Sequence, residues 1–372
     1  MSVEQDSSLS QFGQERRWLL KAGLTVGVAG VAFLAARKFG LVPDIEFKSK
    51  NLGIPATLTG IIPNCHHLPY VEDQAVQENL IENIEMTDPV CTRVFLDDRF
   101  EPRPGDYQHT QVDKVAKLSR RIQLTVDLFD AYPALHSSKP ESPYLVPKLG
   151  RDIREKQMAI FTDPEIRHVL ARRLKVAVQA LKDEPGIKAW GVANELNLRI
   201  NDITRMRDLH TDLFQELIET ILSVDNSRPI FIGIDDPNLI IEERFTRYPV
   251  PIINTIHVYP WPSHLKLVYD YRSKEDHFLP LVCQEIGYPR AYRENGRSVI
   301  VTPDYDRTLS QFSIQIFNGL SNDELPAISA WGPWRISAGD DPHNDGFEII
   351  PAKMPETLAT LDHIGESLVR SV

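Results

Sequence analysis

The chain has 372 residues, 42% of them hydrophobic and 25% charged, and carries a net charge of −11. These proportions are those of a globular protein, and the length suits either two small domains or one barrel with insertions. So acidic a chain is excluded as an ordinary nucleic-acid binder, because phosphates demand a Lys/Arg-rich surface.

Residues 1–15 are polar. Glu15-Arg16-Arg17-Trp18-Leu19-Leu20-Lys21 follows, then an apolar run over 22–36 closed by Arg37 and Lys38. A charged stretch before a short Gly/Ala-rich apolar segment is the grammar of an export signal. The paired arginines, with two leucines and a lysine after them, resemble a twin-arginine signal. No Ala-x-Ala triplet follows, so the segment is expected to stay attached as an anchor through residues 18–36. Its apolar part falls short of the ~20 residues that span a bilayer comfortably. Residues 1–45 are therefore set apart from the folded domain, taken as 46–372. Cys65, Cys91 and Cys283 lie in apolar, strand-like runs and are expected to be buried thiols. Without a Cys-x-x-Cys pair they predict no metal site, and no cofactor is predicted.

From residue 56 onward, strand-like and helix-like segments alternate. Strands are predicted over 56–62, 90–96, 122–129, 187–192, 229–234, 252–258, 281–284 and 327–331. Helices are predicted over 71–85, 111–120, 162–182, 203–224, 239–247, 263–271, 305–317 and 355–369. Asp163-Pro164-Glu165 marks one helix start: a capping side chain, proline in the first turn, and an acid at the positive end of the dipole. Residues 130–157 read as a long loop over one mouth of the fold. Eight strand–helix units close as a (β/α)8 barrel in a single domain. A doubly wound sheet is the alternative, but the first strand ends in Gly60-Ile61-Ile62-Pro63-Asn64 rather than a glycine-rich phosphate turn.

Barrel chemistry gathers at the C-terminal ends of the strands. There the sequence places Arg93 and Asp97-Asp98, Asp127, Asn194-Glu195, His257-Val258-Tyr259, Gln284-Glu285 and Trp331-Gly332. The fourth and seventh strands face each other across a barrel, so Glu195 and Glu285 can act on one bound molecule. Paired carboxylates are what glycosidic cleavage needs, and their separation separates retention from inversion. His66-His67 end the first strand, where one of them reaches the substrate. As neighbours on a strand they face opposite ways and make no metal pair. Trp261, Tyr288 and Trp334 are open between lining subsites and packing. Asp97, Asp98 and Asp127 are read as loop caps.

Trp190-Gly191-Val192-Ala193-Asn194-Glu195, preceded by Phe161-Thr162-Asp163-Pro164, resembles the strand-4 Asn-Glu signature of clan A glycoside hydrolases, the clan of family 5 cellulases and β-mannanases. Gln284-Glu285-Ile286-Gly287 resembles the clan's strand-7 nucleophile motif. Arg93, His257, Tyr259 and Trp331 fall where the clan has its Arg, His-x-Tyr and Trp, and Asp345-Gly346-Phe347 resembles its segment after the last strand. The resemblance spans residues 56–370. It implies a retaining hydrolase of β-linked glycans (β-glucan, β-mannan or an exopolysaccharide), with Glu195 as acid/base and Glu285 as nucleophile. It further implies that Arg93 and Tyr259 keep Glu285 ionised and that Asn194 bonds the sugar 2-hydroxyl. Trp331 would give a pyranose ring a flat face, and His257 would bond substrate or acid/base. The alternatives are an inactive or transglycosylating barrel that binds or remodels envelope glycan, and a metal-dependent barrel hydrolase.

Overall fold

The computed structural model describes residues 54–370 apart from 66–67, 97–99, 103–104, 131–152, 198–201, 261, 273–277, 290, 295–297, 303, 321–327, 335 and 337–348. The barrel strands are β1 (Gly60–Ile61), β2 (Thr92–Phe95), β3 (Leu124–Asp127), β4 (Ile187–Gly191), β5 (Ile230–Phe231), β6 (Ile252–Val258), β7 (Leu281–Ile286) and, after a hairpin of β8 (Ala291–Glu294) and β9 (Ser298–Val301), β10 (Ile328–Pro333). The eight barrel strands are parallel in the order β1-β10-β7-β6-β5-β4-β3-β2. Parallel bridges Ile61–Pro89 and Asn64–Arg93 join β1 to β2 and close the ring. The chain is a (β/α)8 barrel.

Helices α1 (Gln74–Glu85), α2 (His109–Ser119), α3 (Ile153–Thr162), α4 (Pro164–Leu181), α5 (Ile203–Leu222), α6 (Pro262–Arg272), α7 (Tyr305–Leu320) and α8 (Pro355–Arg370) follow the strands. Their starts obey the capping logic of the sequence. Asp73, Asp163 and Asp202 each accept backbone N–H bonds from the first turn of α1, α4 and α5. Two elements differ from expectation. Residues 56–58 form a 3-10 turn after Pro55, so β1 is shorter than its apolar run. After β5 the expected helix is two 3-10 turns, Pro237–Leu239 and Glu242–Phe245.

Apolar side chains divide into two layers. Leu58, Ile62, Cys91, Ala189, Phe231, Ile253, Val282 and Ala330 plug the barrel interior. Larger side chains, among them Trp190, Phe214, Trp331 and Phe317, fill the shell between strands and helices. The three cysteines are buried, and burial raises the thiol pKa of Cys91 and Cys283. The interior plug is the floor of the site, and the polar residues stand directly above it.

Candidate active site

Arg93, on β2, is fully buried and is the hub of the site. Its guanidinium has five N–H donors, and each has a partner. Nε and Nη2 donate to Asp127 Oδ2 at 2.9 and 2.5 Å, and Nη2 also to Asn194 Oδ1 at 2.8 Å. Nη1 donates to Asn64 Oδ1 at 2.9 Å and to Glu285 Oε1 at 2.5 Å. Burial disfavours the Arg93 charge, but Asp127 and Glu285 outweigh it and raise its pKa. Asp127 is thus a buried ion-pair partner, not the loop cap expected from its position. Burial raises its pKa against the pull of Arg93. Its other oxygen, Oδ1, has no hydrogen-bond partner among the described residues and lies 1.8 Å from where a Cβ on Gly191 would stand. Only glycine fits there.

Glu285 is 1% exposed. Tyr259 Oη donates to its Oε2 at 2.7 Å while Arg93 holds Oε1. His257 Nδ1 lies 3.2 Å from the same Oε2 and 3.0 Å from Glu195 Oε1. Glu195 is more open, its side chain 21% exposed. Its pKa is raised by burial and by the negative charge of Glu285, against the hydrogen bond and charge of His257.

Two adjacent pairs, Asn194-Glu195 and Gln284-Glu285, both place two side chains in the site, although neighbours on a strand face opposite ways. Each escapes alternation by a different device. At Glu195 the backbone turns through a φ of 51°, a left-handed conformation costing an L-residue roughly 1–2 kcal/mol. In β7 the register with β6 jumps from Ile256–Cys283 to His257–Glu285, so Gln284 is the extra residue of a bulge. Against β10 the same stretch has four residues facing three, Cys283 to Ile286 beside Trp331 to Pro333. The bulge brings the Gln284 carbonyl 2.3 Å from the position a Gly332 Cβ would take, so this glycine is required too. Asn64 Nδ2 donates to that carbonyl at 2.8 Å.

Trp331 is not in the site. It is fully buried in the helix-facing shell, edge-on to Phe317 of α7 at 5.8 Å, and its Nε1 has no partner among the described residues. The reason is parity. Ala330 and Gly332 face the barrel axis, so Trp331 between them faces outward. The tryptophan at the mouth is Trp334, partly buried, stacked on Phe95 at 6.2 Å, with the Arg93 guanidinium 4.5 Å from the Phe95 ring centre. If a sugar binds at this mouth, Trp334→Ala is expected to raise its KM about tenfold or more with little change in melting temperature, since the partly buried indole offers it an aromatic face. Trp331→Ala should instead cost about 3–5 kcal/mol of stability as a core truncation. Thermal melts beside steady-state kinetics of the two variants check both.

Tyr288 packs edge-on to Phe312 at 5.5 Å rather than standing clear as a subsite wall. His66 and His67, Asp97 and Asp98, Trp261, the segment Asp345-Gly346-Phe347, the 1–45 signal region and most of the 130–157 loop lie outside the described residues. Asn64 is the site residue that sequence reasoning missed. An amide after an apolar run carries no signal that separates it from a loop residue.

Glu195, His257 and Glu285 offer three ligand atoms within 4.8 Å of one another, a spacing that can hold a metal ion. Both Glu285 oxygens are already bonded, to Arg93 and to Tyr259, and the guanidinium supplies the positive charge beside them. With both oxygens so engaged and a cationic side chain already beside them, the cluster is a poor divalent-cation cage.

No protein-family model matches the chain, and no curated protein matches it in sequence. Solved structures match in shape. An endo-1,4-β-mannanase from Rhizomucor miehei aligns over 83% of this chain and 95% of its own, with a TM-score of 0.58 and 14% identity. Endo-glycoceramidase II from Rhodococcus sp. aligns over 83% and 78%, with a TM-score of 0.55 and 13% identity. The GH5_18 protein from Streptomyces cattleya aligns over 82% and 81%, with a TM-score of 0.55 and 14% identity. What the chain shares with them at this level of identity is the (β/α)8 barrel.

Proposed function

We propose that the protein is a retaining glycoside hydrolase acting on β-linked glycans. The observation that carries this reading is the pair of glutamates on opposite strands, with a carboxylate oxygen of each within 4.8 Å of the other. Retaining enzymes hold their carboxyls ~5–5.5 Å apart, whereas inverting enzymes leave ~6.5–9.5 Å for a water. The described structural neighbours include a β-mannanase and a glycoceramidase by name, which favours the same class of bond.

The environments divide the roles. Glu285, clamped by a guanidinium and a phenol, is the nucleophile that attacks the anomeric carbon. Glu195, its proton held by burial and by the charge of Glu285, protonates the departing glycosidic oxygen as the C–O bond breaks. Ester formation removes the Glu285 charge, and with it one cause of the raised Glu195 pKa. Glu195 is then ready to take a proton from the water that cleaves the ester, regenerating both groups. Asn194, anchored by Arg93 and donating from Nδ2 to Asp130 Oδ1 at 3.1 Å, stands beside Glu195 where a sugar 2-hydroxyl would reach it.

A panel of activated 2-deoxy-2-fluoro-β-glycosides of gluco and manno configuration tests the reading. The fluorine slows hydrolysis of the intermediate, so one sugar should accumulate on Glu285 and appear by mass spectrometry of its peptide. Labelling confined to another carboxylate would overturn the assignment.

The export reading rests on residues 16–38. Replacing both Arg16 and Arg17 with lysine is expected to leave the precursor in the cytoplasm, as measured by fractionation of a reporter fusion. Unchanged export would remove the twin-arginine reading without touching the barrel chemistry.

A further inference from the structure

His257 is fully buried, and each ring nitrogen faces oxygen. Nδ1 meets Glu195 Oε1 at 3.0 Å and Glu285 Oε2 at 3.2 Å. Nε2 meets the amide oxygen of Gln284 at 3.3 Å. A neutral imidazole has one donor and one acceptor nitrogen, and it would leave a lone pair against an oxygen on one side. With Glu285 ionised at Nδ1 and the Gln284 amide oxygen at Nε2, the doubly protonated ring is the form that donates on both sides. The Gln284 side chain is present only because the β7 bulge turns it inward beside Glu285.

We infer that Gln284 is a positioning residue: its amide oxygen holds the Nε2 proton of His257, keeping the ring an imidazolium whose Nδ1 proton serves whichever of Glu195 and Glu285 is ionised. The inference rests on the glycosidase reading for the second half of that statement only. Charge bookkeeping supports it. In the resting site Arg93 and His257 are positive, Asp127 and Glu285 are negative, and Glu195 carries its proton. When Glu195 gives that proton to the glycosidic oxygen and Glu285 becomes an ester, the negative charge has moved from Glu285 to Glu195. The buried group is neutral in both states, and the Nδ1 hydrogen bond follows the charge without His257 gaining or losing a proton.

The groups facing His257 agree with this. Burial opposes its charge, yet Glu285, then the hydrogen bond and charge of Glu195, raise its pKa, with Arg93 opposing. Asp127 acts on it from β3 as a further anion. Tyr259 meets the same Glu285 oxygen from two residues on. His264 reaches the His257 backbone carbonyl at 3.1 Å, and the His257 N–H donates to the Asp235 carbonyl at 3.2 Å, so neither contact competes for the ring nitrogens.

The test is nitrogen-15 NMR of the His257 ring in the full chain, with kinetics on the same samples. The wild-type ring should show both nitrogens protonated throughout the pH range of turnover. Gln284→Leu removes the acceptor. The His257 pKa should fall by about one to two units, the worth of one hydrogen bond to a charged group, and the alkaline limb of the kcat profile should move with it. Gln284→Glu, which restores an acceptor, should return the pKa to the wild-type value or above. A wild-type ring with a bare nitrogen at the pH of maximal turnover would overturn the inference, even if the leucine variant does not fold. So would a leucine variant whose ring titrates as wild type. A ring that titrates as expected in a protein that turns over no glycoside would sink the glycosidase reading and leave the Gln284 assignment standing.

Discussion

Glu285→Ala is expected to lower turnover of an activated aryl β-glycoside by on the order of 10⁴-fold or more, and azide to restore it as a glycosyl azide of inverted configuration. On the proposed roles, the loss follows from removing the group that forms the covalent intermediate. The rescue follows from what remains. Alanine leaves a carboxylate-sized space lined by the Arg93 guanidinium, the Tyr259 hydroxyl and His257, which were bonded to the lost oxygens. A small anion is drawn into that space by the same positive charge, and it attacks the anomeric carbon in place of Glu285. An aryl leaving group departs with little help, so the slow step is the one azide supplies. Configuration is the decisive readout, by proton NMR of the product. Glu195→Ala should also give an azide product, but of retained configuration, since azide then attacks the sugar already bound to Glu285. Products of the opposite pairing would exchange the two roles. Full activity in Glu285→Ala would end the assignment.

The barrel itself is legible in the sequence because most strand–helix units state their own period. Apolar runs of strand length are separated by amphipathic segments opened by Asp caps such as Asp163. The predicted strand 252–258 coincides with β6. Elements without such a period were not legible. Helix α3 begins within the 130–157 segment read as loop and runs on to Thr162, and the β8–β9 hairpin lies between β7 and α7. The site was legible to the level of which strand end carries which side chain, but not which way each points. Alternation sends one of every two neighbours outward, and it correctly excludes Trp331, a deduction available from Ala330 and Gly332 flanking it. The same rule would wrongly exclude one member of Asn194-Glu195 and one of Gln284-Glu285. A left-handed residue and a bulge overrule it there, and neither leaves a residue-type signature, since Glu is not a residue that prefers positive φ. Asp127 and Asn64 were hidden for a related reason. Their role is set by Arg93, which reaches both from a neighbouring strand.

Arg93→Met is expected to cost about 3–5 kcal/mol of stability, roughly 6–20 °C in melting temperature, besides abolishing turnover. A pair this deep is weak evidence for stability when intact, because two charges have been taken out of water. Breaking it is another matter. The Asp127 side chain is 0% exposed and that of Glu285 2% exposed, so neither can recover solvent once the guanidinium is gone, and Asn64 and Asn194 each lose the donor to their amide oxygens. Asp127 already has one oxygen without a partner against Gly191. Without Arg93 it would have none for either. Arg93→Lys separates charge from shape. Its ammonium keeps the positive charge but cannot form the five bonds of the guanidinium, so it should recover part of the stability and little of the activity. The decisive comparison is a double-mutant cycle with Asp127→Asn, which removes the negative charge at nearly constant volume. If Arg93 acts as the counter-ion, the double variant Arg93→Met/Asp127→Asn should be more stable than the sum of the single losses predicts, by a coupling of roughly 1–3 kcal/mol in denaturant melts. Strictly additive losses would mean that Arg93 matters to the fold through packing over Phe95 alone.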